Sequence, residues 1–486
     1  MTSVARPAGP PPDDAFRAGQ RPDDAIASGQ RPDDAFRAGD HPPAPPSDLN
    51  ALDQPIWPRT ARRRDGVLTI GGIDVRDLAG EFGTPLFACD EADFRGRCRD
   101  FRNAFGDDDM VCYAAKAFCC REVLRWAAQE GLGVDVCTDG ELETALSAGL
   151  PAQIITLHGN NKTVGELARA LDAGVRHIVL DSFEEIARLA YLAERGGARP
   201  KVLVRVTTGV DAGAHEYIAT AHDDQKFGFS LASGAAAEAV RRVLGSPDLE
   251  LAGLHSHIGS QITDAARFES AARRMVGLAA AIRDEHGVQI AELDLGGGFG
   301  IAYTPQDHPV EPAAMARILT ETVDAGCRAA GLRRPRLTVE PGRAIAGPGT
   351  VTLYEVGTIK DVPFDGGLRT YVSVDGGMSD NIRTALYDAR YTCVLASRES
   401  AAQPALSRVV GMHCESGDIV VRHAYLPADL APGDLLAVAA TGAYCRSAAS
   451  NYNHVPRPAV AAVRDGAARV LVRRETIEDL LRLDAG

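Results

Sequence analysis

The sequence predicts a (β/α)8 barrel followed by a β-rich domain, and two patterns carry this prediction. Between about residues 85 and 345, eight apolar runs alternate with Ala-, Leu- and Arg-rich stretches that have helical spacing. Eight βα units over about 250 residues match the usual size of such a barrel. After residue 346 helical stretches become rare, and runs rich in β-formers alternate with turn residues.

The barrel strands are predicted from the apolar runs themselves. They are residues 110–115, 133–136, 153–157, 177–180, 202–206, 251–255, 290–295 and 336–339. A doubly wound open sheet is the alternative, and the absence of a GxGxxG sequence directly after the first strand weakens it.

The second domain is predicted to be discontinuous in sequence. Its strands include residues 351–356, 371–374 and 435–438, and a helix is expected over residues 475–483. The run 66–73 is typical of a hairpin that could add a strand to this domain. We therefore expect a β-barrel or sandwich built from a C-terminal part and an N-terminal segment.

Four regions follow from these patterns. They are a tail over residues 1–50, a segment over 51–84 that joins the β-domain, the barrel over 85–345 and the C-terminal β-domain over 346–486. The tail repeats a ten-residue unit three times, as PPDDAFRAGQ, RPDDAIASGQ and RPDDAFRAGD. Units this poor in apolar residues cannot offset the entropy of ordering, so we expect a disordered tail.

Composition limits the classes of partner and location. The net charge of −14 over 486 residues argues against nucleic acid or an anionic membrane as a partner. There is no apolar run of the roughly 20 residues that span a bilayer and no secretory signal, so we expect a cytoplasmic protein. The ten cysteines are scattered without zinc-type pairing, and we predict reduced thiols and no metal site.

One lysine stands at the end of the first predicted barrel strand. Lys116 is one of only five lysines, against 47 arginines. An amine can form a Schiff base, whereas a guanidinium stays protonated and is a poor nucleophile. Most lysines just beyond a strand are simply solvated, so the neighbouring strand ends must decide between the two interpretations.

The active site of a (β/α)8 barrel lies at the C-terminal ends of its strands. The sixth strand leads into His257 and Ser260, the seventh into Gly296–Gly298, and the eighth into Glu340. Glycines let backbone N–H groups approach an anion, although a tight turn without a ligand is the alternative. An amine, a phosphate cradle, an imidazole and a carboxylate at one barrel mouth match the needs of pyridoxal phosphate.

Eight motifs in order resemble those of the fold-type III pyridoxal-phosphate decarboxylases, over about residues 55–480. They are CYAAKAF (112–118), HGNNK (158–162), GLHSHIGSQ (253–261), DLGGGFG (294–300), EPGRAI (340–345), DGGMSDNIRTALY (375–387), HCESGD (413–418) and GAYCRSAASNYN (442–453). The resemblance implies a homodimer whose active sites are completed across the subunit interface.

The resemblance also implies roles for individual residues. Lys116 would form the Schiff base with the cofactor, and Cys414 of the partner subunit would donate a proton. The implied cofactor contacts are Lys116, His257, Gly259, Ser260, Gly296, Gly297, Gly298, Glu340, Pro341, Gly342, Arg343 and Tyr444. The implied substrate contacts are Arg343, Arg383, Tyr387, Glu415 and Tyr444.

Charge selects a substrate among the members of this family. Ornithine and arginine decarboxylases bind a substrate with a cationic far end, so their distal pocket should be acidic. Meso-2,6-diaminopimelate carries an amino acid at both ends. Arg343 and Arg383 suit its far carboxylate, and Glu415 suits its far ammonium. We therefore expect the branch of the family that converts meso-diaminopimelate to L-lysine and CO2.

Two further alternatives share the fold. An alanine racemase would place a cation opposite the pyridine nitrogen, whereas Glu340 favours decarboxylation. A non-catalytic regulator built on this barrel would be expected to lose cofactor residues, and the complete set argues against it.

Overall fold

The computed structural model describes residues 42, 44–210, 226–364 and 367–486. Residues 45–486 form one compact unit. The three repeats of the predicted tail lie outside the described residues. No helix in the described ranges is long and apolar enough to cross a membrane.

The described chain contains both barrel and sheet elements. The strands are β1 Arg62–Arg64, β2 Val67–Ile70, β3 Ile73–Asp74, β4 Leu86–Asp90, β5 Met110–Ala114, β6 Gly133–Val136, β7 Ile155–Leu157, β8 His177–Leu180, β9 Lys201–Thr207, β10 Phe229–Ser230, β11 Glu250–His255, β12 Glu292–Asp294, β13 Arg336–Val339, β14 Thr350–Phe364, β15 Gly367–Val374, β16 Cys393–Leu395, β17 Pro404–Val410, β18 Ile419–Pro427, β19 Leu435–Val438, β20 Ala459–Arg464 and β21 Ala467–Val472. The helices are α1 Val75–Phe82, α2 Glu91–Phe105, α3 Arg121–Gln129, α4 Asp139–Ser147, α5 Val164–Ala173, α6 Phe183–Gly196, α7 Ala235–Leu244, α8 Ala265–His286, α9 Pro312–Ala330, α10 Arg343–Ala346, α11 Arg383–Tyr387 and α12 Ile477–Leu481.

Eight parallel strands close into a barrel. Their order is β9-β11-β12-β13-β5-β6-β7-β8, and β8 pairs back with β9. These are the eight predicted strands, so the (β/α)8 prediction is confirmed and the open sheet is excluded. Strands β6, β7 and β8 are buried along their whole length, as expected where helices cover one face and the barrel interior fills the other.

The helices around the barrel begin at side chains that satisfy free backbone N–H groups. Thr138 and Ser182 cap α4 and α6 in this way. Thr163 and Glu166 form a reciprocal capping box at the start of α5. These caps fix where each helix starts, and therefore how much loop remains at the barrel mouth.

The β-domain takes its N-terminal strand from a different place than predicted. Strand β4 pairs with β14 and β20 in the C-terminal sheet, so the barrel begins at Glu91 rather than at residue 85. The predicted hairpin instead forms a separate sheet of β1, β2 and β3. That sheet contacts the β-domain through a hydrogen bond from Leu68 N to Ala396 O of 2.9 Å and through a shared apolar core.

Candidate active site

Lys116 lies in a short 3-10 turn directly after β5. Its Nζ is 3.7 Å from Oδ2 of Asp135, which is fully buried, while the lysine side chain remains 38% exposed. Burial disfavours the ammonium, but Asp135 and the other acidic groups nearby outweigh it and raise the pKa of Lys116. The amine therefore rests as a cation beside a carboxylate, at an accessible position of the barrel mouth.

A second lysine near a strand end is bound differently. Lys162 is only 2% exposed, and its Nζ donates to Gly159 O at 2.6 Å and Val179 O at 2.8 Å. It also pairs with Oε1 of Glu185 at 2.9 Å. Two of the three ammonium protons are therefore donated to backbone carbonyls, and Glu185 balances the charge. Lys162 is therefore a structural cation, and Lys116 is the accessible amine of the two.

Glu340 follows β13 and is buried against two imidazoles. Its Oε1 lies 2.9 Å from His158 Nε2, and its Oε2 lies 3.5 Å from His255 Nε2. Burial would raise the pKa of Glu340, but the two histidines outweigh burial and hold this pKa well below its usual value. Among the described residues Oε1 has no hydrogen-bond donor of good geometry, so it is a buried anionic acceptor.

The same three side chains are close enough to act together as ligands. One ligand atom from each of His158, His255 and Glu340 lies within 4.8 Å of the other two. This spacing could hold a metal ion, although the sequence predicts no metal. It equally allows the two imidazoles to keep one carboxylate ionised.

His257 is held as a neutral ring. The backbone N–H of Gly297 donates to its Nδ1 at 3.2 Å, which leaves the ring proton on Nε2. Burial, followed by the positive charges of Lys116 and Arg205, lowers the pKa of His257 well below its usual value. A neutral, oriented imidazole therefore stands at the barrel mouth.

The triple glycine is required by contacts within the protein. A Cβ on Gly296 would lie 2.5 Å from Ser256 O, and one on Gly297 would lie 2.2 Å from Glu340 O. A Cβ on Gly298 would lie 2.2 Å from the carbonyl oxygen of Gly259. The glycines therefore let the loops after β11, β12 and β13 pack closely. This packing, rather than space for an anion alone, accounts for the residue type.

Two buried arginines share one phenol. Arg343 Nη1 donates to Tyr303 OH at 2.6 Å, and Arg383 Nη1 donates to the same oxygen at 2.9 Å. Arg343 also donates from Nη2 to Ser260 Oγ at 2.6 Å, and Arg383 donates to Tyr391 OH at 2.7 Å. Both arginines are 5% exposed. Within the described part of the chain neither is paired with a carboxylate.

Sequence reasoning missed both tyrosines of this arrangement. Tyr303 lies a few residues after the DLGGGFG motif, and this closeness in sequence to the end of the seventh strand could have indicated it. Tyr391 lies beyond α11 and no motif marks it.

The remaining predicted contacts lie around these groups. Tyr444 has a backbone φ of 65°, its N–H donates to Ala117 O at 2.8 Å, and its ring lies under the Arg343 guanidinium at 4.7 Å. Gly342 packs against Ala114, and Pro341 beside it is buried. Tyr387 is half-buried at the end of α11, on the same short helix as Arg383.

Cys414 and Glu415 are not part of this group in a single chain. Both are exposed, on the loop between β17 and β18. The loop is shaped by Asp418, which accepts from His413 N at 2.8 Å and Met378 N at 2.6 Å. In the described ranges neither residue makes a hydrogen bond or ion pair to the barrel mouth.

The chain is similar to known proteins over most of its length. Residues 91–347 match the family model described as "Pyridoxal-dependent decarboxylase, pyridoxal binding domain". The diaminopimelate decarboxylase of Mycobacterium tuberculosis is 57% identical, covering 90% of this chain and 99% of the relative. That of Bacillus subtilis is 44% identical, covering 87% of this chain and 96% of the relative.

Solved structures agree in fold. The crystal structure of diaminopimelate decarboxylase from M. jannaschii in complex with L-lysine has a TM-score of 0.82 and 30% identity, covering 88% of this chain and 98% of that one. The Helicobacter pylori enzyme complexed with L-lysine has a TM-score of 0.77 and 28% identity, covering 85% of this chain and 99% of that one.

Proposed function

The chain belongs to the pyridoxal-dependent decarboxylases, and from this membership we propose that it converts meso-2,6-diaminopimelate to L-lysine and CO2, the last step of lysine biosynthesis by the diaminopimelate route. The observation that carries the substrate is the pair of buried arginines, Arg343 and Arg383, which have no carboxylate partner among the described residues. The diaminopimelate decarboxylases that align with nearly their full length to this chain support the same conclusion.

The groups at the barrel mouth fit pyridoxal phosphate. Lys116 offers an accessible amine, and Glu340 offers an anionic acceptor that has no hydrogen-bond donor in the described part of the chain, as a protonated ring nitrogen requires. His257 offers a neutral flat ring, and Ser260 with Gly296–Gly298 suits the phosphate. When bound, the cofactor supplies an electron sink for the pair left on Cα after CO2 departs.

The protein's own part in the reaction is binding, orientation and proton transfer. Glu340 must stay ionised to keep a ring nitrogen protonated, and its two imidazole neighbours favour this state. Asp135 can pair with the Lys116 ammonium whenever that amine is free, because the two groups are already neighbours. After CO2 leaves, a proton must reach Cα, and we assign this proton to the Cys414 thiol.

The arginine pair separates this substrate from its competitors. Burying a cation without a counter-ion is costly, and two such cations in one pocket repel a third. The far carboxylate of diaminopimelate supplies the missing anion, whereas the far ammonium of ornithine would be repelled. Glu415 would bind the far ammonium of diaminopimelate.

We propose that the enzyme is a homodimer with shared active sites. The exposed Cys414 and Glu415 need a partner surface to reach substrate. The same loop carries Met412, which is 54% exposed, and contacts Tyr452, which is 41% exposed. An apolar, exposed loop edge is typical of a subunit interface.

Mixing two inactive variants tests the shared site. Lys116→Ala and Cys414→Ala are each expected to be inactive alone. If each site takes Lys116 from one chain and Cys414 from the other, a mixed dimer holds one intact site, and an equal mixture should recover about a quarter of wild-type activity. An equal mixture that stays inactive after confirmed subunit exchange would contradict the shared site.

We also propose that the enzyme works in the cytoplasm and binds neither nucleic acid nor membrane. All ten cysteines are free thiols, which suits a reducing compartment. The net charge of −14 disfavours polyanionic partners. We propose the substrate, meso-diaminopimelate, as the small-molecule partner of the enzyme.

Substrate identity is tested by CO2 release. The purified protein with cofactor is assayed with meso-diaminopimelate, ornithine, arginine and lysine side by side. Turnover of meso-diaminopimelate is expected to exceed the others by orders of magnitude. Turnover of ornithine alone would overturn the assignment.

A further inference from the structure

We infer that the Tyr303 hydroxyl is a third donor of the carboxylate-binding site formed with Arg343 and Arg383, and that it determines the preference for a carboxylate at the far end of the ligand. This inference rests on the proposed function, because it assumes that the arginine pair receives the far carboxylate of substrate.

The count of donors and acceptors around the phenol oxygen carries the inference. A phenol oxygen has two lone pairs and one proton. Arg343 and Arg383 both donate to it, and a guanidinium cannot accept, so both lone pairs are used. The Tyr303 proton has no acceptor within the described ranges. A buried O–H of this kind requires a partner, and an acceptor atom of a bound ligand can supply it.

The neighbouring groups indicate that this ligand is an anion. Tyr303 stands between two buried cations, and the buried Nε–H of Arg343 has no acceptor among the described residues. The guanidiniums of Arg343 and Arg383 and the hydroxyl of Tyr303 therefore place several hydrogen-bond donors in one small region. A carboxylate has the lone pairs to accept from such a set, whereas an ammonium or an amide NH2 would add another donor.

Tyr303 is also held firmly enough to act as a fixed donor. Its backbone N–H donates to Asp307 Oδ2 at 3.0 Å, and its carbonyl accepts from Thr392 Oγ1 at 2.8 Å. Its ring meets that of Tyr391 edge-on, with centroids 5.2 Å apart. Removing only the hydroxyl should therefore leave the ring in place.

Tyr391 supplies a matched control. It also accepts from Arg383, at 2.7 Å, but its hydroxyl lies 3.5 Å from Cys445 Sγ, which in turn lies 3.5 Å from Asn381 Oδ1. The proton of Tyr391 therefore has an acceptor within the protein. Tyr391→Phe removes an acceptor for one arginine, whereas Tyr303→Phe removes the acceptor shared by both arginines and the free donor as well.

The test compares two ligands that differ only at the carboxylate. L-lysine keeps the far carboxylate of the substrate, and L-lysinamide replaces it with a neutral amide. Binding of both is measured by calorimetry to the full-length, cofactor-loaded wild type, Tyr303→Phe and Tyr391→Phe. We expect Tyr303→Phe to reduce the wild-type preference for L-lysine by about tenfold or more, as for loss of a hydrogen bond to a charged group. Tyr391→Phe should keep the preference within about threefold.

The outcomes separate the inference from the function beneath it. Thermal unfolding and cofactor absorbance of both variants establish that they are folded and loaded. If wild type prefers L-lysine and Tyr303→Phe keeps that preference, the role of Tyr303 is wrong and the proposed function stands. If wild type itself shows no preference, the carboxylate site and the substrate assignment fail together. An equal loss of preference in both tyrosine variants would assign the effect to arginine positioning and overturn the donor role.

Discussion

Replacing Lys162 with methionine should destabilise the barrel strongly. Methionine matches the length of the lysine stem but removes the ammonium that pairs with Glu185 and donates to Gly159 O and Val179 O. Glu185 would remain 2% exposed without its counter-ion. Removing one partner of a buried pair costs about 3–5 kcal/mol, and we expect a loss in this range.

The pH dependence of this loss has a definite sign. Burial already raises the pKa of Glu185, and Lys162 opposes that rise. Without Lys162 the pKa of Glu185 should rise further, so the folded variant would bind a proton more tightly than its unfolded chain. Lys162→Met should therefore be least stable at high pH and regain stability as the pH falls.

The measurement is urea unfolding followed by circular dichroism, with two control variants. Lys201→Met removes a 56% exposed lysine that lies 3.9 Å from Glu250, and it should cost less than about 1 kcal/mol. The double variant Lys162→Met with Glu185→Leu removes both charges and should recover much of the stability. Equal unfolding midpoints for Lys162→Met and Lys201→Met would refute the assignment of Lys162 as a structural cation.

Four further predictions concern the site and its support. Lys116→Ala should lose both turnover and the visible absorption of bound cofactor; retained turnover would contradict its role. Cys414→Ala should keep the visible absorption of the cofactor but lose turnover, and normal turnover of this variant would contradict its role. Glu415→Ala should chiefly raise KM in steady-state assays, and an unchanged KM would contradict its role. Burial raises the pKa of Asp380 to about 7, so the stability it contributes is present below its ordinary value of 3.8 and is lost as the pH rises through about 7. Asp380→Asn should therefore lose less stability than wild type on going from about pH 4 to pH 8, and equal slopes of unfolding midpoint against pH would contradict this.

The barrel was predictable because its strands are buried on both sides. Such strands are continuous apolar runs, and three of them, β6, β8 and β13, have the predicted bounds. The predicted barrel range includes residues 86–90 with no strand assigned to them, and they form β4 of the other sheet. An apolar run shows that a strand is buried, but it does not show which sheet it joins, and β4 pairs with residues far along the chain.

The sequence by itself determined the inventory of reactive groups and the order of the strand ends that carry them. An amine, an imidazole, a glycine loop and a carboxylate at successive strand ends suffice to predict a cofactor site, because barrel topology brings those ends together. The family motifs then indicated the cofactor and the reaction.

Only the tertiary structure decided how those groups are paired. Lys116 and Lys162 both lie near strand ends, and their different partners separate an accessible amine from a structural cation. The contact between Arg383 and Tyr303 spans 80 residues of chain. The physical reason is that neighbours in space decide which acceptor a proton binds and which counter-ion a charge has. Local sequence patterns do not show these neighbours.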